Sequence, residues 1–210
     1  MPHIVLLGDS IFDNARYVPG GPSVIQHLSR ALPPGWNATL LAADGSGVEN
    51  IDRQLARMPP DATHLVVSAG GNNALDHSAL VLNGVARSFA EVLSHMADIQ
   101  AEFAAAYRTM LQTLLAQDKP LTVCTVYDAI PHLGGAELAA LCLFNDIILR
   151  EAFRARIPVI DLRLICNEPS DFARTSPIEP SVTGGGKIAR TIARIITDPD
   201  VQTACTRVFT

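Results

Sequence analysis

His3-Ile4-Val5-Leu6-Leu7-Gly8-Asp9-Ser10 opens the chain with a short apolar run that stops at a glycine, an acid and a hydroxyl. It reads as a buried strand that delivers a serine to the rim of a sheet. Four apolar residues in a row, without period-two alternation, suit a parallel strand covered on both faces. Ser10 is therefore the candidate nucleophile, and the rest of the chain is read for what would activate it.

Working outward, two segments repeat this shape. Residues 38–42 read as a second apolar strand, closed by Asp44-Gly45-Ser46-Gly47, and residues 64–68 as a third, closed by Gly70-Gly71-Asn72-Asn73. Residues 121–126 and 157–160 read as strands four and five. Helices fall between them. Ser23 caps the first, with Val24, Ile25, Leu28 and Leu32 on one face. Residues 49–58 form the second, stopped by Pro59-Pro60. A long helical region is expected from about 84 to 117, where Ile99, Phe103, Tyr107, Met110 and Leu114 recur at helical spacing. Further helices are expected over 136–155 and 182–196. Residues 11–22 and 73–84 read as long loops, 163–180 as irregular, and the tail after Asp198 shows no period.

Strands alternating with helices predict an α/β protein, a parallel sheet covered on both faces. No repeat, linker or low-complexity segment interrupts residues 1–210, so one domain is expected. In open parallel sheets ligands bind beyond the carboxyl ends of the strands. The clusters at Gly8–Ser10, Ser46-Gly47 and Gly70–Asn73 are thus expected to meet.

Composition narrows the function. The chain has 210 residues, 48% of them hydrophobic and 18% charged, which supports one sizeable core and excludes a disordered chain. A net charge of −5 argues against nucleic acid as partner. Arg150, Arg154 and Arg156 read as a solvated helix face. No secretory signal and no apolar run of membrane-spanning length stands out. The four cysteines have no CxxC or zinc-type spacing, and read as reduced thiols in a cytoplasmic protein. The six histidines form no HExxH or HxxxH, so no metal or cofactor is implied.

Acyl transfer to a serine needs a nucleophile, donors facing the developing oxyanion, and a base. Ser10 offers a hydroxyl and its own N–H. Gly47 offers a second N–H with no side chain to obstruct a substrate carbonyl, and Asn72 a side-chain amide.

In this order the blocks resemble the SGNH (GDSL-type) hydrolases, a family of serine esterases, lipases, thioesterases and carbohydrate esterases. Gly8-Asp9-Ser10 matches the nucleophile block. Ala43-Asp44-Gly45-Ser46-Gly47, leading to Gln54-Leu55-Ala56-Arg57-Met58-Pro59, resembles the glycine block in the register of the bacterial thioesterase/lysophospholipase branch. Gly70-Gly71-Asn72-Asn73 matches the asparagine block, with Asn73 where Asp is common. The resemblance implies a three-layer α/β/α fold with a flavodoxin-like five-stranded sheet. It also implies a small-molecule ester or thioester substrate and a structural role for Asp9 in bonding loop amides.

The fourth block departs from the family. Asp-x-x-His is usual shortly before the last helix, followed by Pro-Ser or Pro-Asn. Here the segment is Ser176-Pro177-Ile178-Glu179-Pro180-Ser181. In that register Glu179 stands at the histidine position and Ser176 at the acid position, and no histidine follows His132. Three readings are open. Glu179 is the base, its affinity for protons raised by burial, with Ser176 orienting it. Alternatively His77 or His132, both on the rim, is the base. In the third reading the site binds an acyl, carboxylate or sugar-ester ligand without turning it over.

Two other classes fit less well. Thr183-Gly184-Gly185-Gly186-Lys187 lacks the spacing and the terminal hydroxyl of a phosphate loop; its glycines are expected to let the last helix pack closely under the site. No Gly-x-Ser-x-Gly elbow is present. Asp13 and Asn14 are expected to line the pocket.

Overall fold

The computed structural model describes residues 1–198. Five strands run parallel: β1 (His3–Gly8), β2 (Asn37–Leu40), β3 (His64–Ser68), β4 (Leu121–Cys124) and β5 (Val159–Ile160), in the order β2-β1-β3-β4-β5. β1 is an interior strand, with Ile4–Gly8 paired to His64–Ser68 on one side and His3–Leu6 to Asn37–Leu40 on the other. This is the flavodoxin-like order, and its switch point lies between β1 and β3.

Among the described residues eight helices cover the sheet: α1 (Val24–Ala31), α2 (Ile51–Leu55), α3 (Gly71–Asp76), α4 (Ser78–Asn83), α5 (Phe89–Leu115), α6 (Gly135–Ala155), α7 (Leu162–Ile165) and α8 (Val182–Thr197). Successive side chains of a strand point to opposite faces, and β1 divides itself accordingly. Val5 and Leu7 join a core with Ile51, Phe103, Leu114 and Ile148, from α2, α5 and α6. Ile4 and Leu6 join a second core with Val24, Leu28, Ile188 and Ile192, from α1 and α8. The result is three layers with both faces of the sheet buried.

The helix starts follow the sequence. Ser23 caps α1 through a reciprocal arrangement in which Gln26 Oε1 accepts the Ser23 N–H at 2.9 Å. Ser181 Oγ accepts the N–H groups of Thr183 and Gly184 at the start of α8. The three glycines there permit close packing. A Cβ at Gly184 would collide with the Asp171 backbone, and one at Gly185 would come within 3.1 Å of Val24.

Several expectations need correction. Residues 73–84, read as a loop, belong mostly to α3 and α4. Each is only six residues long, too short to show a period. Helix α5 begins at Phe89, where Ser88 Oγ accepts the Glu91 N–H, and residues 84–88 are not helical. The second helix splits into a 3-10 turn over Val48–Asn50 and the short α2. The segment read as irregular contains α7, a 3-10 turn over Pro169–Asp171 and an antiparallel bridge between Phe172 and Pro180. The arginine-bearing face of α6 is ion-paired as well as solvated: Arg150 meets Asp146 at 2.6 Å and Arg154 meets Glu151 at 2.7 Å. Cys124 and Cys166 are buried free thiols, Cys142 is an exposed one, and Cys205 and the tail from 199 lie outside the described residues.

Candidate active site

Gly8 turns the chain out of β1. Its φ of +124° is open to glycine, and a Cβ there would collide with the Ser68 carbonyl of β3. The next N–H, of Asp9, donates to that carbonyl at 3.1 Å. Gln54 then fixes the corner from the side: its Oε1 accepts the Gly8 N–H at 2.8 Å, and its Nε2 donates to the Gly8 carbonyl at 2.7 Å. Ser10 emerges from this corner 7% exposed. Its backbone N–H makes no hydrogen bond to the chain among the described residues.

Beyond β3, Gly70 (φ +120°) starts α3 and places Asn72 beside the nucleophile loop. Asn72 Nδ2 donates to the Ser46 carbonyl at 2.9 Å. An amide nitrogen has two hydrogens, so this bond orients the group and leaves the second N–H for a ligand. Asn73 ties the same two loops together, its Oδ1 accepting the Val48 N–H at 3.1 Å.

Glu179 arrives from the far end of the chain. The Ala173 N–H donates to the Glu179 carbonyl at 2.8 Å, and the Ser181 N–H to the Asp171 carbonyl at 2.8 Å, which closes residues 171–181 into a narrow loop. Three anchors hold it. Tyr127 Oη donates to the Ile178 carbonyl at 2.7 Å. Asn14 Nδ2 donates to the Pro180 carbonyl at 3.0 Å while its Oδ1 accepts the Val24 N–H. The wholly buried Asp171 pairs with Lys187 at 2.7 Å.

So held, Glu179 is 4% exposed, and its carboxyl lies with the Ser10 hydroxyl at one end of the cavity that both line. Its Oε2 is buried without a partner. Loss of hydration pushes its pKa up to about 7; the Ser10 hydroxyl opposes the rise, Asp44 adds to it and Arg16 opposes it. Asp9, also buried, is pushed up to about 7, mainly by desolvation. The Ile11 N–H, held by its Oδ1 at 3.1 Å, restrains the rise, and the charge of Glu179 adds to it.

Asp9, Ser10, Asn72 and Glu179 form the polar end of a cavity of about 100 Å³. Its remaining walls are largely apolar, including Val81 of α4, Met96 of α5, Val126, and Leu141 and Phe144 of α6. Asn145 of α6 fixes the wall at Val126 as Gln54 fixes Gly8, accepting the Val126 N–H at 2.9 Å and donating to its carbonyl at 2.8 Å.

Not every sequence candidate reaches this cavity. Gly47 is absent from its lining, and its N–H donates to Asn50 Oδ1 at 2.9 Å. Ser176 accepts the Glu179 N–H through its backbone carbonyl at 3.0 Å, and no hydrogen bond links its hydroxyl to the carboxyl. The tight turn from 176 to 179 leaves a backbone contact where a side-chain contact was expected. His77 lines the cavity, its ring 6.2 Å from that of Phe144, whereas His132 is exposed and outside it. Asp13 and Asn14 are scaffold, Asp13 Oδ2 accepting the Asp44 N–H at 3.1 Å. Gln54, Asn145 and Tyr127 were not singled out as site residues. Among the described residues no group of three or more His, Cys, Asp or Glu gathers to hold a metal ion.

The sequence profile of the GDSL-like lipase/acylhydrolase family matches residues 6–184. No curated protein matches the chain in sequence. Among solved structures, a variant of an acetyl xylan esterase from Geobacillus stearothermophilus superimposes with a TM-score of 0.67 at 15% identity, covering 93% of this chain and 94% of the other. An α/β hydrolase enzyme from the metagenome of Lake Arreo, Spain, gives 0.67 at 17%, covering 92% and 93%. An extracellular lipase from Streptomyces rimosus gives 0.62 at 16%, covering 94% and 100%. At these identities the likeness is one of fold.

Proposed function

The chain belongs to the GDSL-like lipase/acylhydrolase family, a family of ester-hydrolysing enzymes, and from that premise we propose that it cleaves an ester or thioester through Ser10 with Glu179 as base. The observation that supports this reading most is the buried Glu179 carboxyl beside Ser10 at the polar end of the cavity, its pKa pushed up to about 7. An ordinary glutamate is a poor base for this step, whereas imidazole titrates near 6.5. Burial brings Glu179 into the imidazole range, so the substitution at position 179 changes the chemical group and keeps its basicity.

In the proposed cycle Ser10 Oγ attacks the substrate carbonyl carbon as its proton passes to Glu179. The tetrahedral oxyanion takes hydrogen bonds from the Ser10 N–H and the second Asn72 N–H. The intermediate collapses, the leaving alcohol or thiol takes the proton from Glu179, and an acyl-Ser10 ester remains. Water then attacks that ester with Glu179 again accepting the proton, and the acid departs as Ser10 recovers its hydrogen. Each oxyanion donor is worth about 3 kcal/mol of transition-state stabilisation. An acid partner for Glu179 is unnecessary, because an imidazolium is never formed and a further carboxylate would only repel it. The apolar walls, with the likeness of residues 43–59 to the thioesterase/lysophospholipase branch, favour an acyl chain longer than acetyl.

The test uses p-nitrophenyl esters of graded chain length and a fluorophosphonate probe. Labelling at Ser10 with burst kinetics is expected, and Glu179→Gln should lower kcat/KM by about 10²–10⁴-fold. An active Glu179→Gln beside an inert His77→Ala would move the base to His77. The binding reading draws on the Gly47 N–H being committed to Asn50, which leaves two oxyanion donors in place of three. Neither turnover nor labelling, with ester ligands still bound, would favour it.

A further inference from the structure

Helix α5 has 27 residues and so spans about 40 Å, more than the width of a small domain. Its apolar stripe is core where the body covers it: Ile99, Phe103, Tyr107, Met110 and Leu114 are all buried. The stripe does not stop there. It continues through Met96 to Val92, Leu93 and Phe89, where Leu93 is 68% and Phe89 89% exposed. The helix carries its packing face beyond the last element that packs on it.

The adjoining segment has the same character. Helix α4 turns Val81 toward the cavity, yet Leu80 and Leu82 are exposed, and Val85 after it is 98% exposed. A helix apolar on all sides is one that is covered on all sides. Nor is this a frayed end. Ser88 caps α5, and Glu91 Oε2 accepts the Arg87 N–H at 2.8 Å, so the turn that presents these side chains is held in shape.

From this geometry we infer that α4 and the first three turns of α5 form a self-association surface, on which a second copy of this chain packs two-fold symmetrically. Three observations select that occupant. The exposures of Leu80, Leu82, Val85, Phe89, Val92 and Leu93 amount to four fully exposed large side chains. Wholly covered, that would remove at most on the order of 800 Å² from water, about what one partner contributes to a stable interface. Next, residues 77–86 carry no Asp, Glu, Lys or Arg, and Arg87, ahead of the cap of α5, pairs with Glu91 of that helix at 3.6 Å. Copies of a chain with net charge −5 therefore meet along residues 77–86 without like-charge repulsion. Finally, the exposed residues of α5 keep helical spacing, which a partner helix reads as ridges and grooves. Interfacial helices are drawn to anionic lipid by several basic residues, and the one arginine here, Arg87, is paired with Glu91.

Because Leu75, Ser78, Val81 and Met96 line the cavity from these same elements, the partner copy would brace the cavity wall. The inference stands whether or not Ser10 is catalytic, since it is read from association alone.

Sedimentation velocity over 0.5–100 µM tests it, with circular dichroism melts to show that each variant is folded. The wild-type chain should be a dimer, and Leu93→Asp and Phe89→Asp should each weaken the dimer by about thirtyfold or more, the range of interface hot spots. Leu164→Asp, at an exposed leucine on α7, should leave it unchanged. A wild-type monomer throughout this range overturns the inference, as does a dimer indifferent to both α5 variants or one broken by Leu164→Asp. So does a monomer that floats with phosphatidylcholine vesicles and loses that property in Leu93→Asp, which would make the surface a lipid-binding one.

Discussion

The floor of the cavity and its roof are built by opposite means. The floor consists of the corner at Gly8–Ser10 and the loop bearing Glu179. It is fixed by directional bonds: Gln54 on both backbone groups of Gly8, Tyr127 on Ile178, Asn14 bridging Pro180 and Val24. The roof consists of α4 and the start of α5. It is held by apolar contacts and faces solvent on its outer side. Buried polar bonds are costly to break and tolerate little displacement, whereas apolar contacts are non-directional. The contrast assigns the chemistry to the floor and leaves substrate fit to the roof.

The sharpest way to break this contrast is at Gln54. Gln54→Leu keeps the volume and leaves the buried Gly8 N–H unpaired, which should cost about 2–3 kcal/mol in urea unfolding and lower kcat with it. A cost below about 0.5 kcal/mol, as for an ordinary surface change, would show that the corner does not depend on its clamp.

Next in size is the effect of pH. A carboxyl whose folded pKa is raised from 4.5 to about 7 binds its proton more tightly in the fold than in the unfolded chain. Its contribution to stability is fully present below about 4.5 and is lost as pH rises through about 7. Glu179→Gln should therefore be more stable than wild type at pH 8, by up to about 3 kcal/mol, and about equal to it at pH 4. On the proposed mechanism catalysis runs the other way, since a general base works ionised. The wild-type kcat/KM should then climb about tenfold per pH unit up to about 7 and level off. A flat profile from pH 5 to 8 would separate Glu179 from proton transfer.

The smallest effect is expected in the roof. Leu82→Ser should change stability by less than about 0.5 kcal/mol in dilute protein, measured well below the concentration at which copies associate. A loss as large as that for Gln54→Leu would mean that the roof is part of the folding core.

How much of this was legible in the sequence follows the same division. The strands announced themselves, because both faces of a covered parallel sheet are apolar and the runs ending at Gly8 and Ser68 stop abruptly; the fourth, read to Val126, ends at Cys124. Ser23 and Ser181 were readable as caps because a cap and its partners lie within a few residues. The clamps were not readable. Gln54 is a single amide 46 residues from Gly8, and Asn14 lies 166 residues from Pro180, each bonded to backbone, which carries no residue signature. Gly47 was open to a better reading, since the asparagine three residues on is at capping distance and takes the N–H that was assigned to substrate. Helices α3 and α4 escaped because six residues hold less than two turns of a period.

The corner at Gly8 bears on how this protein can change over generations. Any side chain there meets the Ser68 carbonyl, and the backbone angle itself excludes most residues. Position 179 lies in a loop that is anchored through its neighbours' backbone, so its side chain can be exchanged while the anchors stay. Mutational drift can thus retire or restyle the chemistry in a single step, but it cannot discard the corner without losing the fold. Descendants of this chain that no longer hydrolyse anything would still be recognisable by a glycine two residues before a vacant nucleophile.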